Sequence, residues 1–87
     1  LLLRRLFVSA AALDPDLGSS EASLAEAEIK LALAAAASEV ILAVDSSKLG
    51  HRSPARCLEL SNVSILVTEL EPDDAGLDPY RDLVRLV

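Results

Sequence analysis

The residues best suited to chemistry sit in one short run, Asp45-Ser46-Ser47-Lys48-Leu49-Gly50, directly after the apolar stretch Val40-Ile41-Leu42-Ala43-Val44. The run holds one of the chain's two lysines, two hydroxyls and a glycine. A lysine offers a phosphate oxyanion a point charge, serines donate hydrogen bonds, and glycine lets the backbone approach closely. The same residues also make an ordinary hydrogen-bonded turn with Asp45 as its cap, and residue types alone leave both readings open. Gly18-Ser19-Ser20 is a weaker candidate. One glycine with two serines is common in turns, and Glu21 and Glu26 nearby oppose an anion. His51 reads as a solvated loop residue, and no second histidine or spaced carboxylate makes it a metal ligand. Asp73-Asp74 reads as a charged turn, without the regularly spaced oxygens of a calcium loop. Cys57, between Arg56 and Leu58, is expected to pack as a small hydrophobe.

Positioning these residues falls to elements legible from the pattern. Leu6 to Ala10 reads as a buried strand, although Arg4-Arg5 followed by an apolar run and Ala10-x-Ala12 also mimics a short signal peptide. Asp14 to Ser20 reads as a loop of acid, proline, glycine and serine. Ser23 with Glu26 three residues on is a capping box, so a helix is expected from Leu24 to Ser38, with Glu26 and Lys30 as an i,i+4 pair. Leu24, Ala27, Leu31 and Ala35 share one face of it and Ile29, Leu33 and Ala36 the other, so both faces are expected to be covered, one by the sheet and one by another subunit or a missing part of the same domain. Val40–Val44 and Val63–Thr68 read as buried parallel strands, Arg56–Leu60 as an edge strand, Asp78–Asp82 as a helical turn and Leu83–Val87 as a closing strand. Strands alternating with helical segments and short loops predict an α/β fold: a partial, open, mainly parallel sheet with flanking helices. In such sheets ligands lie beyond the carboxyl ends of the strands, where both candidate loops fall.

Composition narrows the function. Eighty-seven residues make one small domain or part of a larger one, and 52% hydrophobic content is too high for disorder. No apolar run approaches the ~18 residues of a membrane helix. A net charge of −6 gives these residues no counterion-release route to nucleic acid. One cysteine excludes a disulfide framework and any zinc site built on cysteines, which points to a reducing, cytoplasmic setting. No methionine occurs, so the chain is expected to be a fragment or a processed product.

The order Phe7-Val8-Ser9-Ala10, Leu17-Gly18-Ser19-Ser20, Glu26-Ala27-Glu28-Ile29-Lys30, Val40 to Gly50 and Ile65-Leu66-Val67-Thr68-Glu69 resembles the C-terminal effector domain of DeoR-family bacterial transcriptional regulators. The resemblance runs over about residues 6 to 87 and is most specific in the strand–Asp-Ser-Ser-Lys-x-Gly segment. It implies a fold similar to ribose-5-phosphate isomerase, with Ser47 and Lys48 on a phosphate and Gly18-Ser19-Ser20 as the neighbouring wall. It further implies a phosphorylated sugar or similar anionic metabolite as ligand, no cofactor, a homo-oligomer, and DNA contact only through an N-terminal winged helix-turn-helix. Neither that domain nor the first half of the sensor domain is in these residues. The sequence departs from the family pattern after the first strand, where Ser9 and Ala11 or Ala12 replace the usual glycines, and at Glu69, where the family carries aspartate. An added Cβ near a ligand narrows a site, so an altered ligand preference is expected.

Two other classes compete. A sugar-phosphate isomerase needs a general base and a carbonyl-polarising group; Glu26, Glu28 and Asp45 are the carboxylates near the proposed pocket. The isomerase's lysine-led glycine run has no counterpart around Gly18, and Glu26 and Glu28 fit a cap partner and a solvated helix residue, so no catalytic residue is assigned. A ligand-independent oligomerisation module rests on the two-faced helix alone.

Overall fold

Apolar β-branched strands pair wherever both neighbours can satisfy their backbone, and the run Ala37–Ala43 does so from two sides. The computed structural model describes residues 2–87. β1 (Leu3–Val8), β4 (Ala37–Ala43), β6 (Ile65–Val67) and β7 (Arg85–Leu86) form a four-stranded parallel sheet in the order β1-β4-β6-β7. Val8 lies opposite Leu42, and Leu42 opposite Leu66. Between β1 and β4 the chain forms β2 (Ala12–Asp14), β3 (Gly18–Glu21) and helix α1 (Leu24–Ala35), and β2 and β3 are joined by β5 (Ala55–Arg56), from after β4, in a second, antiparallel sheet of order β2-β3-β5. The fold is α/β with a mainly parallel sheet. One α-helix flanks that sheet; the other helical segments are 3₁₀ turns at Ser46–Lys48, Leu60–Asn62 and Ala75–Tyr80.

Successive strand residues point to opposite faces. Val40, Leu42 and Val44 therefore face the same way, into a core with Leu13, Leu58, Leu66, Leu77 and Tyr80. The other face carries the row Phe7, Ile41 and Ile65 in register; Ile41 is buried at its centre and Ile65 half-buried, but Phe7 is 68% exposed, so this face is covered only in part instead of fully as expected. Among the described residues a single α-helix packs on the parallel sheet.

Asp14 to Ser20 is not an open loop. Asp14 Oδ2 accepts from the backbone N–H groups of Asp16 (2.9 Å) and Leu17 (2.8 Å), closing Pro15–Leu17 as a turn between β2 and β3. Gly18, Ser19 and Ser20 are buried strand residues, since apolar Ala12 and Leu13 supply the opposing strand.

Ser23 caps α1 as expected, its Oγ accepting from the Glu26 N–H at 3.2 Å. The helix ends at Ala35, and its rotation differs from expectation. Only Ala27 is fully buried, while Leu24 (65%), Ile29 (62%) and Leu31 (42%) stand exposed, Ala35 is exposed and Leu33 is half-buried. Lys30 explains this: its Nζ pairs with Glu21 at 3.0 Å and not with Glu26, which turns the Ala27–Lys30–Ala34 side inward.

Gly18 and Gly50 both adopt positive φ (+83° and +75°), but in different surroundings. A Cβ at Gly18 would overlap the Leu58 carbonyl oxygen and stand 2.9 Å from Glu59 Cα, whereas one at Gly50 meets open space. Gly18→Ala is expected to destabilise by about 2–4 kcal/mol, from backbone strain plus overlap, and Gly50→Ala by about 1 kcal/mol, from strain alone. Urea unfolding of both variants checks this; equal losses would contradict the packing around β3.

Candidate functional site

The loops at the carboxyl edge of the parallel sheet follow β1, β4 and β6, and each brings polar groups. β4 leads through Val44, whose N–H reaches the Val67 carbonyl at 3.0 Å, into Asp45 and the 3₁₀ turn Ser46–Lys48. Asp45 caps that turn: its Oδ1 accepts from the Ser47 N–H at 2.9 Å and from the Ser47 hydroxyl. These bonds, with Lys48 close by, hold the Asp45 carboxyl below the usual carboxylate range.

The loop after β6 reaches across to meet it. Glu69 accepts from the Ser46 N–H through Oε1 at 2.8 Å and from the Ser46 hydroxyl through Oε2 at 2.7 Å. Thr68 Oγ1 adds a third bond at 2.8 Å. The Ser46 hydroxyl first, then Thr68, lower the Glu69 carboxyl to about 2. The carboxylate thus fills a donor set of the type an anionic ligand uses.

The remaining backbone donors are also taken. The Lys48 N–H reaches the Asp45 carbonyl (3.0 Å), the Leu49 N–H the Ser46 carbonyl (3.2 Å) and the Gly50 N–H the Leu13 carbonyl (2.8 Å). Gly50 N–H also lies 2.8 Å from the Tyr80 hydroxyl. From Ser46 to Gly50 every N–H therefore has a partner, because Asp45, Ser46, Glu69 and Leu13 supply acceptors at short range, so an anion at this loop would find no free backbone donor. Lys48 is half-buried and its ammonium makes no ion pair among the described residues.

Gly18, Ser19 and Ser20 stand in the antiparallel sheet with their hydroxyls engaged. Ser19 Oγ accepts from the Leu58 N–H (2.9 Å) and Ser20 Oγ from the Ser53 N–H (2.8 Å). They brace the segment Ser53–Leu58, where a cleft wall was expected, because strand pairing buries all three. Ser46 and Gly50 instead line a cleft of about 330 Å³ with Pro15, Leu70, Pro79 and Tyr80. A larger cleft, about 380 Å³ and walled by Leu31, Ala34, Val40 and Leu58, lies where α1 ends and β4 begins and contains none of the candidate residues.

Glu26 and Glu28 are exposed on α1. Cys57 packs against the core, its thiol facing the Ala27 carbonyl at 3.5 Å and pushed up by burial. Thr68 and Tyr80 were not read as polar contributors at this edge, and Glu21 was read only as a charge opposing an anion. Glu69 was noticed only as a departure from aspartate. Glu21 and Lys30 sit nine positions apart, outside any helical spacing, so no periodicity signals their pairing.

The Glu69 clamp makes a pH prediction. Its folded value lies below the ordinary 4.5, so its contribution to stability is complete above about 4.5 and is lost as pH falls toward 2. Thermal melts from pH 2 to 7 should show Glu69→Gln less stable than wild type at neutral pH, with the difference closing through that window. Parallel profiles would remove Glu69 from the clamp.

The family model of the DeoR C-terminal sensor domain matches residues 2–70, which span β1 to β6, the loops after β1 and β4, and the start of the loop after β6. Tyr80 and β7 lie beyond the match. Among curated proteins no match was found. With that match over most of the chain, and a parallel sheet whose polar loops gather at its carboxyl edge, the chain belongs to the DeoR C-terminal sensor domain family.

Proposed function

We propose that this chain is the effector-binding part of a DeoR-type transcriptional regulator and that its ligand is a phosphorylated sugar or a related anionic metabolite. Membership of a sensor family makes it a regulatory module. Among the described residues no helix is long and apolar enough to cross a membrane. In this reading DNA is contacted by an N-terminal winged helix-turn-helix elsewhere in the protein, which works in the cytoplasm, and ligand occupancy here alters that contact without catalysis.

The observation that carries the reading is the Lys48 ammonium, without an ion pair among the described residues, beside two serines at the carboxyl end of a parallel strand. Lys48 supplies the charge for the phosphate, and Ser46 and Ser47 supply hydroxyls once their carboxylate partners yield. Asp45 and Gly50 shape the loop, and Gly18, Ser19 and Ser20 support the hairpin behind it. Glu69 competes with the ligand for Ser46, so binding requires it to be displaced or to share the donor with a neighbour.

Calorimetric titration of phosphorylated sugars into the full-length protein tests this, wild type against Lys48→Ala. Loss of a charge-assisted phosphate contact should weaken binding by about ten- to a hundredfold, or about 1.5–3 kcal/mol. Equal affinities would return Asp45–Gly50 to a turn.

Self-association belongs to the same reading. Leu24 and Leu31, both exposed, share one face of α1 that a second copy would cover. Light scattering over a concentration series should show a stable oligomer, and Leu31→Glu should shift it toward monomer. A wild-type monomer at all concentrations would count against it.

A further inference from the structure

The chain's other lysine marks a second polar cluster at the same edge. Glu21, the last residue of β3, is 2% exposed. Its Oε1 accepts from Lys30 Nζ at 3.0 Å, while Oε2 is buried and has no donor among the described residues. Lys30 Nζ also donates to the Ser9 carbonyl at 2.7 Å, one residue past the end of β1. Its third N–H finds no acceptor among the described residues, and its side chain is 21% exposed.

Buried polar atoms are almost always paired, and an unmet oxygen on a buried carboxylate is costly. An ion pair serving packing alone has no need of it. The cluster thus holds one unused acceptor and one unused donor side by side, with Lys30 as the reachable member. Sugar hydroxyls match this couple, since each accepts through its oxygen and donates its own proton.

Position ties the cluster to the Asp45–Lys48 loop. β2 begins three residues after Ser9, and its Leu13 bridges Leu49 in the loop. From strand rise and spacing the two clusters lie on the order of 10 Å apart along one edge. The two lysines of the chain therefore belong to clusters on the same edge.

We propose that Glu21 and Lys30 form a hydroxyl-recognising subsite for the sugar portion of the ligand, an inference that rests on the phosphate reading of Lys48 for its anchor. One hydroxyl accepts the free Lys30 N–H and its neighbour donates to Glu21 Oε2. To admit them the Lys30 head moves outward while keeping its bond to Ser9.

The test compares inorganic phosphate, ribose 5-phosphate and fructose 6-phosphate on the full-length protein. The variants are Lys48→Ala and the charge-neutral double variant Glu21→Gln/Lys30→Met, which avoids stranding either charge. The wild type should prefer at least one sugar phosphate over inorganic phosphate. The double variant should lose about tenfold of that preference while holding phosphate within about twofold. In the unmutated protein, the ¹³C resonance of the Glu21 carboxyl should shift with that sugar phosphate and stay still with inorganic phosphate. A preference unchanged in the double variant, or a silent Glu21 resonance, overturns the subsite whatever Lys48 does. Affinities unaffected by Lys48→Ala but lowered for sugar phosphates in the double variant would leave the subsite standing and remove the phosphate loop.

Discussion

The carbonyl oxygen of Leu13 is the point on which the carboxyl edge of the sheet depends. It accepts from the Tyr80 hydroxyl at 2.7 Å and from the Gly50 N–H at 2.8 Å, and Leu13 is fully buried. Three segments far apart in sequence meet there: β2, the loop after β4, and the C-terminal turn Ala75–Tyr80. A buried carbonyl needs a partner, and a buried tyrosine hydroxyl needs one too. Each satisfies the other, and the loop's glycine joins them. Burial pushes the Tyr80 hydroxyl up, so it remains a donor across the physiological range. The Asp45–Lys48 turn is thereby held between a fixed strand end and a fixed glycine, and its donors settle on the acceptors within reach, Asp45 and Glu69.

That arrangement separates what could be read in the sequence from what could not. Elements carried by local chemistry were legible. Val40-Ile41-Leu42 has the β-branched continuity of a buried strand, and Ser23 with Glu26 has the spacing of a cap; both formed as read. The α/β class followed from their alternation. The β2–β3 hairpin was not legible, because Leu17 alone separates the turn residues Asp14-Pro15-Asp16 from Gly18-Ser19-Ser20. Turn chemistry was recognised, but the strands it joins are too short to show alternation. Gly18 itself is explained by the close Leu58 carbonyl, a contact forty positions away that no local pattern contains.

The helix shows the same limit from another side. Projecting α1 at 100° per residue marks Leu24, Ala27, Leu31 and Ala35 as one face, and hydrophobicity alone aims that face at the sheet. Glu21 decides otherwise. A buried carboxylate requires a cation, Lys30 lies within reach, and the ion pair rotates the helix so that small Ala27 and Ala34 meet the sheet while Leu24 and Ile29 stay outside. A single electrostatic constraint outweighs the amphipathic signal, even though burying alanines in place of leucines forgoes apolar burial. The candidate loop was legible as a sequence; its internal saturation was not, because Glu69 and Leu13 come from other elements.

An acidic chain that binds an anion needs its local charge arranged against its overall charge. The carboxylates at this edge are each engaged: Asp45 by Ser47, Glu69 by Ser46 and Thr68, Glu21 by Lys30. Hydrogen bonds to an ionised carboxylate spread its charge onto fixed donors, which lowers its repulsion of a nearby anion without removing it. Lys48 makes no ion pair among the described residues, and Lys30, along the same edge, is only partly used. The repulsion that remains from Asp45 and Glu69 favours ligands that bring hydroxyl donors as well as negative charge, because a hydroxyl can take over the role that serine plays for these carboxylates. A bare anion gains only Lys48. Under the proposed function, this arrangement of engaged carboxylates and lysines favours a polyhydroxylated phosphate over phosphate itself, although carboxylates alone argue against any anion.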